Sequence, residues 1–268
     1  MQLQRWLTGI GLAVLVLGVN FILPAMGLCI LIFLVALCAE LEVLNMLFTG
    51  KDERFCVHLG LATCAVVIAV SVTGSDVWLA VSFVVMLASC FVGHLFAFRE
   101  IESAHINLGK QLLGLFYVPL LASFFVLVRL EPKGAWWVTL AMLVVFLGDT
   151  GAYYAGKTFG RHKLYPAVSP NKTVEGSVGG ACCSVIFGLI FQSLYLPEMS
   201  LWEGALLFLV LGLLGQVGDL FESFLKRSVG VKDSGRILPG HGGMLDRIDG
   251  ALFAGAPMYL YLRLFQAG

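Results

Sequence analysis

Charge is what this chain has least of. Asp, Glu, Lys and Arg make up 13% of its 268 residues, where soluble domains carry about 25%. Hydrophobic residues account for 59%, and the mean hydropathy is +0.92. A water-soluble fold of this length has no interior large enough for so much apolar surface, which excludes a soluble globular domain. Strand alternation is also missing. Only helices and closed barrels satisfy their backbone groups in lipid, so the expected class is all-α, a polytopic integral membrane helical bundle. No C-x-x-C pair occurs. Cys29, Cys38, Cys64, Cys90, Cys182 and Cys183 sit inside apolar runs, where they read as small buried residues rather than metal ligands or disulfides. No Cys/His spacing suggests zinc. Neither a G-x-x-x-x-G-K-[ST] loop nor a G-x-G-x-x-G turn is present, and nothing suggests nucleic-acid binding. No internal repeat or low-complexity linker stands out.

What the chain does have is a succession of apolar runs of the roughly 20 residues that a bilayer-spanning helix needs. Nine spans are expected, at about 7–22, 27–47, 55–73, 77–98, 109–129, 135–157, 174–195, 202–225 and 248–266. Pro24 and Gly27 separate the first two. The first run follows Arg5 as in a signal peptide, but no small-x-small cleavage site comes after it, so it is expected to stay as a span. Nine spans place Arg5, Lys51, Arg54, Arg99 and Lys110 on one side, with Lys157, Arg161, Lys163 and Lys172. Lys226, Arg227, Lys232, Arg236 and Arg247 join them there. Of the 17 Lys and Arg, only Arg129, Lys133 and Arg263 fall on the other side. Positive charge marks the cytoplasmic face, so the N-terminus is expected inside and the C-terminus outside. Most of these cations crowd into two loops, which topology alone does not require.

Composition divides the chain into 1–130, read as scaffold helices, and 131–268, read as the catalytic region. In the first part Glu40, Glu42, Asp76 and the cluster from Arg99 to Lys110 read as interfacial charges. Two polar segments interrupt the second part. One runs from Gly148-Asp149-Thr150-Gly151 to Ser169-Pro170-Asn171-Lys172-Thr173. Asp149 lies inside a span, where an ionisable group is costly and points to function. Lys172 and the free amides of a helix start suit a phosphate oxygen, although Ser and Thr hold the same positions as simple caps.

The other segment begins within the eighth span. Asp219, Glu222, Ser223, Lys226 and Arg227 fall at helical offsets on one face of a helix otherwise rich in Leu, Phe and Val, forming a polar stripe. Lys232-Asp233-Ser234-Gly235-Arg236, Pro239-Gly240-His241-Gly242-Gly243 and Asp246-Arg247-Ile248-Asp249 follow. Mg²⁺ prefers carboxylate oxygens and keeps waters and substrate phosphates. Asp219 and Asp246 could hold such an ion, the surrounding Lys and Arg could take phosphate oxygens, and the glycines let the backbone come close. A solvated interhelical loop would also be polar and glycine-containing, but would not explain carboxylates facing a cluster of cations. His241 fits phosphate contact, acid catalysis or a turn cap.

Ser223-x-Leu225-Lys226-Arg227, Lys232-Asp233-x-Gly235 and Leu238-Pro239-x-His241-Gly242-Gly243-Met244-x-Asp246-Arg247-Ile248-Asp249 together resemble the signature of the phosphatidate cytidylyltransferase family, also called CDP-diacylglycerol synthase. Asp149-Thr150-Gly151-Ala152-Tyr153 and Ser169-Pro170-Asn171-Lys172-Thr173 are similar to that family's second polar region. The resemblance is specific over about 145–250; before that it rests on hydropathy and span count. It implies transfer of the cytidylyl group of CTP to phosphatidate, giving CDP-diacylglycerol and pyrophosphate with Mg²⁺, a second cation being held open. On this reading Asp219 and Asp246 are metal ligands, supported by Asp249. Asp219, Asp246, Lys226 and Ser223 are the catalytic set. Lys172, Asn171, Arg227, Lys232, Asp233, His241, Arg247 and Asp149 face the substrates. The expected partners are CTP, phosphatidate and the bilayer, with a homodimer held open. The expected location is a bacterial cytoplasmic (inner) membrane, with the site facing the cytoplasm. The rivals are a CTP-dependent enzyme acting on another lipid phosphate or alcohol, and an ion-coupled transporter. Transporters often carry inverted repeats, whereas the polar interruption here is confined to one half.

Overall fold

A backbone N–H or C=O without a partner in hydrocarbon costs several kcal/mol, and the apolar runs accordingly close their hydrogen bonds within themselves as helices. A computed structural model describes the backbone of residues 2–50, 53–97, 101–237 and 242–266, and the side chains of these except 2–10 and 97. Lys51, Arg99 and His241 lie outside the described residues. Among those described, the α-helices are α1 (Gln2–Ile22), α2 (Ala25–Leu47), α3 (Arg54–Ser71), α4 (Asp76–Ala97) and α5 (Ile101–Leu130). They continue as α6 (Gly134–Phe159), α7 (Val174–Tyr195), α8 (Leu201–Ser228) and α9 (Leu245–Tyr261), the last prolonged by a π-turn, Leu262–Gln266. Seven of them, α2 to α8, are long and apolar enough to cross a membrane. The all-α, multi-pass expectation holds. Several boundaries shift by a few residues; the largest change is at α5, which takes in the charged stretch from Ile101 to Lys110 as helix.

One element was not anticipated. Between α6 and α7 a short antiparallel hairpin forms from β1 (Lys163–Tyr165) and β2 (Ser169–Thr173). Lys163 pairs with Thr173 and Tyr165 with Ser169. Strands this short carry too few residues to show an alternating pattern.

The chain divides into two compact units. The first comprises residues 1–130 and 233–247, and the second 131–232 and 248–268. The polar segment 233–247 thus belongs to the unit built by the N-terminal helices, a return that composition does not reveal.

Large side chains fill the interior of the first unit. Leu44 of α2, Ile68 of α3 and Leu115 and Leu127 of α5 are each fully buried. Pro119 sits inside α5, as spanning helices tolerate when neighbours satisfy the freed carbonyl. Gly74, at φ 67°, closes the turn from α3 to α4, a left-handed position that glycine takes without steric penalty. The second unit also buries large side chains, Phe208, Leu140 and Leu211 among them, and adds close contacts at small residues. A Cβ at Gly180 of α7 would lie 2.8 Å from the Gly148 carbonyl oxygen of α6, so these two backbones touch. Outward faces carry bare apolar groups, such as Trp202 at 86% exposed and Phe96 at 82%, which in water would be a liability but in lipid are ordinary.

Candidate active site

In the second unit, the chain leaving α6 is turned back by the hairpin and delivered to the start of α7. Thr173 is the N-cap, its hydroxyl accepting the Gly176 amide at 3.1 Å, which satisfies one of the orphan donors of the first turn. Glu175, in that same turn, takes the amides of Arg161 at 3.1 Å and His162 at 3.2 Å, with the His162 ring at 2.6 Å. The Ser-x-x-x-Thr stretch is therefore a cap. Both arms of the loop are tied to the helix start, which leaves Lys172 on β2 with a defined direction.

That direction is toward α8. The Lys172 ammonium lies 2.7 Å from an Asp219 carboxylate oxygen, with both side chains about a third exposed or less, at 25% and 34%. Asp219 does not stand alone. Asp149 of α6 interacts electrostatically with Asp219 and with Lys172, and Asp249 of α9 interacts with Asp219 and Asp149. Close backbone packing makes this convergence possible. A Cβ at Gly218, next to Asp219, would lie 2.5 Å from the Asp249 carbonyl oxygen. On the α6–α7 side, Ser184 of α7 donates to the Val144 carbonyl of α6 at 2.9 Å. Gln216 of α8 exchanges hydrogen bonds with Ser177 of α7, one of them at 3.1 Å. Carboxylates from α6, α8 and α9 thereby act on one another, with Lys172 on Asp219 and Asp149 and Lys226 on Asp249.

The polar stripe on α8 is present but divides its labour. Glu222 is buried, and its carboxylate holds Lys226 at 2.6 Å. Lys226 also acts electrostatically on Asp249. Arg227 is exposed and donates to the Val231 carbonyl at 3.2 Å. Ser223 is half-buried on the same face. Asn171, Lys232 and Arg227 are exposed, as are Lys157, Arg161 and Lys163 in the α6–α7 loop. These are the groups that a water-borne anion would meet first.

Asp246 and Asp233 fall in the first unit. Asp246 Oδ2 accepts the Gly243 amide at 2.7 Å, the Ser234 amide at 3.1 Å and the Ser234 hydroxyl at 2.9 Å. It lies in the first turn of α9 and reaches back over the segment that precedes the helix. Arg247 and Asp233 are exposed. The partner on the other side of this segment is Glu42, which takes the Ser234 hydroxyl at 3.0 Å and the Met244 and Leu245 amides at 2.9 Å each.

This corrects the reading of Glu40 and Glu42 as interfacial charges: both are buried, Glu40 fully and Glu42 at 5% exposed. Glu42 tolerates that burial because backbone and hydroxyl donors solvate its carboxylate in place of water. The available signal was two acids, separated by one residue, inside an otherwise apolar span, which deserved a functional default. Sequence reasoning also missed Ser234 and the Glu222–Lys226 pair. Among the described residues, no group of three or more His, Cys, Asp and Glu side chains forms a ready cation cage.

Comparison with known proteins gives the family. The profile of the cytidylyltransferase family matches residues 3–265. A phosphatidate cytidylyltransferase of Staphylococcus epidermidis is 37% identical over 231 residues, covering 82% of this chain and 84% of that protein. The enzymes of the same name from Staphylococcus saprophyticus and Staphylococcus aureus are 41% and 43% identical over 175 residues, each covering 65% of this chain and 64% of the relative. The chain belongs to the cytidylyltransferase family.

Proposed function

Proceeding from that membership, we propose that the protein transfers the cytidylyl group of CTP to phosphatidate, yielding CDP-diacylglycerol and pyrophosphate. The observation that carries the reading is the mutual interaction of Asp149, Asp219 and Asp249, with Lys172 paired to Asp219 and Lys226 acting on Asp249, beside a loop of exposed cations. A phosphate monoester oxygen of phosphatidate attacks the α-phosphorus of CTP. The new P–O bond forms as the bond to the β-phosphate oxygen breaks, and pyrophosphate leaves with that electron pair. The nucleophile is already anionic, so no strong general base is required; positioning and electrostatics do the work.

Mg²⁺ fits the residues present. It takes one or two carboxylates and fills its remaining positions with waters and substrate phosphates, so a complete protein cage is not needed. Carboxylates that act on one another electrostatically also gain from a divalent cation. Asp219 and Asp249 would hold it, and when bound it would neutralise phosphate charge. Lys172 sets the orientation of Asp219 and is within reach of a phosphate that displaces it. Arg227, Lys232 and Asn171 bind CTP phosphates from the water side, and Lys226, steadied by Glu222, keeps positive charge close to Asp249. CTP is soluble while phosphatidate is anchored by its acyl chains. The site therefore faces the cytoplasm from a cytoplasmic membrane, and the lipid enters laterally between helices.

The test is turnover by purified protein with labelled CTP, with and without phosphatidate and Mg²⁺. Pyrophosphate release that depends on both is expected; release indifferent to phosphatidate would overturn the reading.

A further inference from the structure

The first turn of any helix leaves amide donors without intrahelical partners. At the start of α9 two amides are satisfied from far along the chain. The Met244 and Leu245 amides are taken by Glu42, some 200 residues earlier in the chain and on another helix. The segment before α9 is shaped around this carboxylate. A Cβ at Gly235 or at Gly243 would run into the Glu42 side chain, so glycine at both positions is what lets the backbone close on it. Gly242, just before Gly243, has φ 81°, a conformation open to glycine.

Ser234 then links Glu42 to Asp246. Its hydroxyl lies 3.0 Å from Glu42 and 2.9 Å from Asp246. It has a single proton for two carboxylate acceptors, so the two acids share it and neither can reorient without the other. Asp246 in turn accepts the Gly243 amide. The result is a closed set of bonds, Glu42 to the start of α9, Asp246 back to the preceding segment, and Ser234 between them.

We propose that Glu42 is a positioning residue for cytidylyl transfer: it fixes Ser234, Gly235 and residues 243–245, and with them the orientation of Asp246, without itself touching substrate. The proposal rests on the transfer reaction proposed above for the meaning of its kinetic test, but not for its structural one. Glu42→Gln keeps the size of the side chain and replaces one acceptor oxygen with a donor that opposes the donors it faces.

Three measurements decide the matter. Glu42→Gln should lower kcat by about 100-fold, the scale of a roughly 1 Å misplacement, while KM for CTP stays within a few-fold. Glu40→Gln, on the same helix two residues away, should leave kcat near wild type. Hydrogen–deuterium exchange of the peptide spanning 233–247 should rise in Glu42→Gln and not in peptides of α6 to α8. A Glu42→Gln enzyme with wild-type kcat and unchanged exchange overturns the proposal. So does an equal loss in Glu40→Gln, which would trace the effect to the charge of α2. Should Glu42→Gln fold poorly, Gly243→Ala attacks the same contact from the other side and should show the same split between kcat and KM. Lack of phosphatidate-dependent turnover in the wild type would refute the transfer reaction, and the exchange arm would still decide the role of Glu42.

Discussion

The two units hold their carboxylates in contrasting ways. In the first, Glu42 and Asp246 each accept two backbone amides of a single segment and share the Ser234 hydroxyl. Such acids set geometry. In the second, Asp149, Asp219 and Asp249 crowd one another, with Lys172 bonded to one of them. Crowded like charges with Lys172 and Lys226 acting on them favour a cation brought in with substrate. Packing differs in one respect: both units bury large side chains, such as Leu115 in the first and Phe208 in the second, but the second adds a close backbone approach between α6 and α7.

The strongest way to break this contrast is to neutralise one member of the crowded set. Asp219→Asn should lower kcat by about 10²–10³-fold, the scale seen when a single preorganised charge-stabilising group is lost, with helix content by circular dichroism unchanged. Turnover near wild type across a Mg²⁺ titration would show that the crowded carboxylates are structural, like those of the first unit. A smaller effect should separate the two kinds of packing. Leu115→Ala, in the first unit, should cost about 2–5 kcal/mol of stability while the folded fraction keeps its specific activity. Gly180→Val, in the second, should cost about 1–3 kcal/mol and also reduce specific activity, because wedging α7 from α6 moves Asp149. Thermal unfolding in detergent, paired with activity per folded molecule, checks both. Equal activity loss in the two variants would erase the distinction.

Much of this was legible from residues alone. Nine apolar runs became nine helices among the described residues, because lipid leaves an open chain few alternatives. The stripe on α8 also followed from helical offsets. What could not be read were pairings that need three dimensions. Lys172 looked like a free donor at a helix start, yet the hairpin turns it onto Asp219. Lys226 was assigned to phosphate from its charge, while a turn earlier a buried Glu222 holds it. Glu42, an acid near a helix end, reads from sequence as solvated by water; its solvation comes from a segment about 200 residues away, and no local pattern encodes that.

The smallest expected effect concerns a second ion pair of the same unit, at the other end of α6 from Asp149. Lys133 meets Glu198 at 2.6 Å, as close as Lys172 meets Asp219, but its two side chains are 49% and 63% exposed. The hydrogen bond from Lys133 holds the Glu198 carboxyl below the usual carboxylate range. A depressed folded pKa means that any stabilisation is present above the unfolded value and fades as pH falls through the folded one. Water screens so exposed a pair. Lys133→Met should therefore leave both the melting temperature and turnover at wild-type values, while carboxyl NMR shows the Glu198 titration moving back up toward the ordinary range. A loss of turnover in this variant would mean that distance alone, and not the crowding and partial burial around Asp219, distinguishes a working ion pair from an idle one.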